Sequence, residues 1–151
     1  MNRGIQVNDN KKANRKPLIA VVDDDSSSRD STQLLLRSAG YPADVFASAR
    51  DFLDSPRIDE TACLILDVRM PGMDGLELQR FLNEAQRQIP IIFITAHATE
   101  NAEQRARRAG AVDFLRKPVN DEKLLSAIQT ALKGNVKTME SSQTSQHKPN
   151  V

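Results

Sequence analysis

The sequence predicts an α/β fold, a parallel sheet with helices packed on both faces. Three observations carry that expectation. Short unbroken apolar runs, LIAVV at 18–22, CLIL at 63–66 and IIFI at 91–94, suit strands buried on both sides. Amphipathic stretches with helical spacing lie between them. The two kinds alternate five times between Pro17 and Gly134, and helical crossovers between buried strands make neighbouring strands parallel.

Each element has its own signals. After the first run, Ser28–Ala39 carries Leu34, Leu35 and Leu36 and stops at Gly40, a residue suited to the position just past a helix. Asp44–Ala47 is a weaker strand. Ser48 opens a short helix, with Asp51 three residues on as an approximate capping box. The third strand, Cys63–Leu66, leads to a helix over Leu76–Ala85 that presents Leu78, Phe81 and Leu82. The fourth, Ile91–Ile94, leads to a helix over Thr99–Ala109 whose apolar stripe is alanine only, Ala102, Ala106 and Ala109. Val112–Leu115 is the fifth strand. Glu122–Leu132 follows, with Leu124, Leu125, Ile128 and Leu132 on one face and Asn120 as N-cap. For five such units the leading arrangement is the flavodoxin-like (βα)5 doubly wound sheet with strand order 2-1-3-4-5. Met1–Lys16 and Asn135–Val151 are polar and aperiodic. They read as a disordered N-terminal tail and a flexible C-terminal tail or linker around a domain over 17–134.

Composition narrows the function. The chain has 151 residues, enough for one domain of ordinary size. Lysine and arginine number 21 against 20 aspartate and glutamate, a net charge of +1, which argues against direct nucleic-acid binding by this chain. One cysteine, Cys63, excludes an internal disulfide framework and reads as a buried filler of the third strand. The two histidines, His97 and His147, are too few for most histidine metal clusters. No apolar run approaches a membrane span of roughly 20 residues, and the N-terminus lacks the apolar region of a secretory signal. The expectation is a cytoplasmic protein without membrane contact.

In sheets of this kind ligands bind beyond the carboxyl ends of the strands. Asp23, Asp24 and Asp25 follow the first strand, Asp67 the third, Thr95 the fourth and Lys117 the fifth. Taken singly, Asp25 is a helix cap, Asp67 a loop carboxylate before Pro71-Gly72, and Lys117 a solvated lysine. Taken together, they place acids, a hydroxyl and an ammonium on one edge. Two carboxylates about 4 Å apart repel by roughly 4 kcal/mol at an effective dielectric near 20. Asp23, Asp24 and Asp67 therefore call for counter-charge, which Lys117 and a divalent cation supply. All-oxygen ligands with an incoming phosphate suit Mg²⁺. Neither GxGxxG nor GxxxxGK[ST] is present, so the site suits a small phosphoryl group rather than a nucleotide. A carboxylate so placed can attack phosphorus and carry an acyl phosphate.

These residues stand in VVDDD at 21–25, LILDVRMPGMDG at 64–75, FITAHA at 93–98 and AGAVDFLRKPV at 109–119. In that combination the sequence resembles the receiver domain of bacterial two-component response regulators, and in phrasing the FixJ-like subfamily. The resemblance implies that Asp67 is the phosphoacceptor, supplied by a sensor histidine kinase or phosphotransfer protein. It implies that Asp23, Asp24, Asp67 and the backbone carbonyl of Arg69 hold Mg²⁺. Thr95 and Lys117 contact phosphoryl oxygens, and Lys117–Pro118 is a cis peptide. Phe114 takes the place of an aromatic switch; a core aromatic on an edge strand is an equally open reading. On phosphorylation Thr95 moves inward, Phe114 rotates into the space opened, and the Thr99–Ala109 helix shifts, because alanine burial holds it weakly. The face of that helix, with Arg105, Arg107 and Arg108, is a candidate homodimer or partner surface.

Four functions fit unequally. A stand-alone receiver acting as a phosphorylation switch is favoured. The N-terminal receiver of a DNA-binding transcriptional regulator is the alternative. A Mg²⁺-dependent phosphatase resembling the haloacid-dehalogenase type is remote, since that type wants an acid two residues after its nucleophile and Arg69 stands there. A phosphate sink without output is the fourth. An enzyme acting on an external substrate is not expected.

Overall fold

The computed structural model describes residues 16–147, with side chains over 16–134. The expected N-terminal tail, apart from Lys16, and the last four residues lie outside this range. Five strands alternate with five helices. They are β1 (Leu18–Val22), α1 (Ser26–Ser38), β2 (Ala43–Phe46), α2 (Ala49–Leu53), β3 (Thr61–Leu66), α3 (Gly75–Glu84), β4 (Ile91–Thr95), α4 (Glu100–Arg108), β5 (Asp113–Arg116) and α5 (Asp121–His147). A single 3₁₀ turn, Ile58–Glu60, precedes β3. All pairings are parallel and the order is β2-β1-β3-β4-β5.

The strength of each strand signal follows its place in the sheet. β1 and β4 are buried throughout and β3 over its last four residues. β2 and β5 are the edges and are only partly buried, so their sequences need fewer apolar residues. One core, with Phe52, Leu66, Leu78, Leu82 and Phe93, fills the face under α2, α3 and α4. The other, with Ile19, Leu36, Ile65, Ile92 and Ile128, fills the face under α1 and α5.

Local chemistry fixes the helix ends. Asp25 caps α1 by accepting from the Ser27 N–H, Ser48 caps α2 through Asp51, and Thr99 caps α4 through Ala102. The Asn120 side chain accepts from the Lys123 N–H at 3.1 Å at the start of α5. Gly40 and Gly110, at φ +91° and +103°, end α1 and α4 in the left-handed region where glycine carries no steric penalty. α3 opens with a full capping box between Asp74 and Glu77, which its D-x-x-E spacing encodes although the sequence reading passed over it.

Three expectations need correction. Phe81, expected on the buried face of α3, is 44% exposed; Leu78 and Leu82 fill that face and Phe81 lies a further 100° round the helix. Ala109 is exposed as well, because α4 ends at Arg108 and its cap turns outward, so Ala102 and Ala106 alone bury that helix. The last helix, expected over Glu122–Leu132, runs on through Gly134 to His147. A glycine inside a helix costs only about 1 kcal/mol against alanine, and the next proline is Pro149.

Candidate phosphoryl-accepting site

The sheet register builds the site. Val22 pairs with Leu66, so the residues that follow, Asp23 and Asp67, leave adjacent strands side by side, and the Asp67 N–H donates to the Val22 carbonyl at 3.0 Å. Strand order reverses direction at this β1–β3 pair, the crevice where doubly wound sheets bind ligands. Thr95 ends β4 opposite Arg116, and the Lys117 N–H donates to the Thr95 carbonyl at 2.9 Å. These pairings bring side chains 94 and 50 residues apart into contact. The Lys117 Nζ donates to Asp23 Oδ2 at 2.8 Å and to Asp67 Oδ2 at 3.0 Å. The Lys117–Pro118 peptide is cis.

Asp23, Asp24 and Asp67 each place one oxygen within 4.8 Å of the others. Asp23 is fully buried, Asp67 nearly so and Asp24 exposed. Burial works to raise the Asp23 carboxyl, but Lys117, the Asp25 N–H at 3.0 Å and Ser28 outweigh it and hold that carboxyl below its ordinary value. At Asp67 burial prevails. With the nearby Asp23 charge it holds this carboxyl above its ordinary value, although Lys117 and a hydrogen bond with Thr95 oppose the rise. The Lys117 ammonium loses solvation, yet the two carboxylates overcome that and hold it protonated beyond its usual range.

Three carboxylates against one ammonium leave two negative charges at one mouth. The donor set is all oxygen, arranged around one point and reachable through exposed Asp24. It fits a hard divalent cation such as Mg²⁺, which takes one or two carboxylates and keeps positions for water and phosphate. A cleft of about 540 Å³ opens there, lined among others by Asp24, Asp67, Arg69, Met70, His97 and Lys117. The Arg69 N–H donates to Asp67 Oδ1 at 3.3 Å, which orients the carboxylate.

Thr95 is fully buried, and its Oγ1 accepts from the His97 N–H at 3.0 Å. His97 thus borders the cleft mouth. Phe114 is 5% exposed, its ring centroid 5.9 Å from that of Phe93. Both belong to the core on the α2, α3 and α4 face of the sheet. Cys63 is fully buried and its thiol is pushed up to about 12, as desolvation of the thiolate requires, so it is inert.

Gly75 is a site residue that the sequence reading missed. A Cβ at this position would lie 2.1 Å from the Asp67 carbonyl oxygen, and the Gly75 N–H donates to the Val68 carbonyl at 2.7 Å. The first turn of α3 is pressed against the backbone that carries Asp67. The Asp-Gly pair at 74–75 reads locally as a turn, and only the packing shows why no larger residue fits.

Residues 19–129 match the model of the response regulator receiver domain. Over 132 residues the chain is 45% identical to Nodulation protein W of Bradyrhizobium diazoefficiens, covering 87% of this chain and 58% of that protein. It is 41% identical over 115 residues to Transcriptional regulatory protein FixJ of the same organism, covering 76% and 56%. The solved structure of response regulator StyR superposes with a TM-score of 0.75 at 44% identity, covering 87% of this chain and 67% of that one. The chain belongs to the response regulator receiver domain family. It spans little more than half the length of these curated relatives. Among the described residues, no helix is long and apolar enough to cross a membrane.

Proposed function

We propose that this chain is a phosphorylation switch whose acceptor is Asp67. The observation that carries the reading is the Lys117 ammonium set between Asp23 and Asp67 at the mouth of a polar cleft. A carboxylate oxygen of Asp67 attacks the phosphorus of a phosphohistidine on a histidine kinase or phosphotransfer protein. The phosphorus–nitrogen bond breaks as the phosphorus–oxygen bond forms, and the leaving imidazole takes up a proton. Lys117 and the Thr95 hydroxyl meet the phosphoryl oxygens, where charge spreads in a loose transition state. Asp23, Asp24, Asp67 and the Arg69 carbonyl would hold Mg²⁺. When bound, the cation supplies the charge neutralisation that an anionic phosphoryl group needs to approach a cluster with two excess negative charges.

The new phosphate adds roughly −1.5 to −2 charges and three acceptor oxygens beside Thr95 and Lys117. The resulting pull on the β4–α4 loop passes to α4, which presents the partner or homodimer face. A reading as the receiver of a longer DNA-binding regulator is favoured over a stand-alone receiver by one observation: a relative named as a transcriptional regulator is matched over little more than half its length. A cytoplasmic setting suits either form, since the phosphodonors are cytoplasmic.

The test is incubation with acetyl phosphate, with and without Mg²⁺, followed by intact-mass measurement. One hydroxylamine-sensitive phosphate per chain is expected with Mg²⁺, and none in Asp67→Asn. An adduct of equal stoichiometry in Asp67→Asn would overturn the assignment.

A further inference from the structure

A groove of about 380 Å³ runs between α3 and α4 and shares no lining residue with the cleft at the acid cluster. Its apolar lining comes from Leu76 and Ala109 and its polar floor from Gln79 and Asn83. Three guanidinium groups line it, from Arg80 on α3 and Arg105 and Arg108 on α4. All three are exposed, and among the described residues none has an ion pair. Arg107, next to Arg108 on α4, is by contrast matched by Glu103 and Asp113. The one carboxylate among the lining residues, Glu77, spends an oxygen on the α3 cap by accepting from the Asp74 N–H. Three cations thus face a partly apolar slot with their charge unanswered.

We propose that this groove docks an acidic, amphipathic segment of a partner protein, an apolar side chain seated between α3 and α4 and carboxylates on Arg80, Arg105 and Arg108. Planar guanidinium groups favour carboxylates, which they engage through paired hydrogen bonds. A nucleic-acid partner suits the slot less well, since no aromatic side chain lines it for stacking and part of its wall is apolar. The proposal rests on the Asp67 reading in one respect, the link to phosphorylation. α4 forms one wall of the groove and buries only Ala102 and Ala106. Its C-terminal turn is pinned to α3 by Gln79 Nε2 donating to the Ala106 carbonyl and Asn83 Nδ2 donating to the Ala109 carbonyl, both at 3.0 Å. Any shift of α4 against these pins changes the width of the slot. The segment and the phosphate then alter each other's binding by the same factor.

The probe is a fluorescein-labelled amphipathic peptide of glutamate and leucine, titrated against the full chain by anisotropy, with amide chemical shifts mapping its seat. Saturable binding at α3 and α4 is expected. It weakens about tenfold or more in the triple variant Arg80→Glu, Arg105→Glu, Arg108→Glu, and for a peptide with glutamine in place of glutamate. Arg116→Glu, an exposed control on β5, leaves it unchanged. Circular dichroism checks that every variant is folded. Absence of saturable binding, equal loss in Arg116→Glu, equal binding of the glutamine peptide, or displacement by a random DNA duplex would each overturn the docking claim. The titration is repeated on chain treated with acetyl phosphate, where intact mass reports the adduct. A change of about fivefold is expected in chain carrying the adduct. Unchanged affinity there overturns the coupling alone. Absence of any adduct overturns the Asp67 reading, and the first titration still decides the groove.

Discussion

Helices α4 and α5 pack on opposite faces of one sheet and are held there by different means. α5 buries Leu124, Ala127, Ile128 and Ala131, with Ile128 wholly inside. α4 buries two alanines and depends on polar ties: Gln79 and Asn83 from α3, and Arg107 to Asp113 at the start of β5 at 3.2 Å. Large aliphatic burial is worth roughly 1.5–3 kcal/mol per side chain, whereas a hydrogen bond nets about 1 kcal/mol and an exposed ion pair less. α5 is therefore an anchor. α4 is the more weakly held of the two, and it begins just after Thr95 and His97 at the acid cluster. An element with so little apolar burial opens at a lower free-energy cost than one held by large aliphatic side chains.

Four substitutions sharpen or break this contrast. The largest effect is expected from Ile128→Ala, which empties a packed site under α5 and costs about 2–5 kcal/mol in urea unfolding. A loss no greater than that of Ala106→Gly would remove the distinction between anchor and mobile element. Next is Gly75→Ala. The clash with the Asp67 carbonyl forces the α3 start and the loop that carries Asp67 apart, at roughly 1–3 kcal/mol of stability, together with slower phosphorylation by acetyl phosphate if Asp67 is the acceptor as proposed. Unaltered phosphorylation kinetics would show that the loop absorbs the methyl group freely.

Gln79→Leu removes one pin of α4 for about 1 kcal/mol and speeds amide exchange in α4 while leaving α5 unchanged. Equal acceleration in both helices would mean a global rather than a local loss.

The smallest effect concerns pH. Because burial and Asp23 raise the Asp67 carboxyl, its ionised form costs the folded chain stability. That cost is present above the raised value and absent below the ordinary value of 3.8. Asp67→Asn is thus expected to be more stable than the parent at pH 7, with the gain shrinking as pH falls toward 3.8. A gain that is constant with pH would point to packing rather than charge. Asp23 runs the other way. Its lowered carboxyl contributes stability above the ordinary value, and that contribution is lost as pH falls through the lowered one.

Much of this was legible along the chain. Apolar runs of strand length and alternation with capped helices suffice for a five-stranded parallel sheet, because a strand buried on both faces tolerates little else. The strand-end positions of Asp23, Asp67, Thr95 and Lys117 follow from the same pattern, since every strand of a parallel sheet ends at one edge. What spacing along the chain does not carry is which face of a helix wins when two are apolar, as with Phe81 against Leu78 and Leu82. Nor does it carry the direct approach of one backbone to another, as at Gly75.

The sequence by itself determined the order of elements, the strand ends and the identity of the charges, because each depends on side-chain type and period over a few residues. Only the tertiary structure decided that Lys117 bridges Asp23 and Asp67, that Gly75 is locked against the backbone of Asp67, and that three arginines without an ion pair among the described residues share one groove. Those facts depend on distances between segments far apart in the chain, and such distances are fixed by the register and packing of the whole sheet.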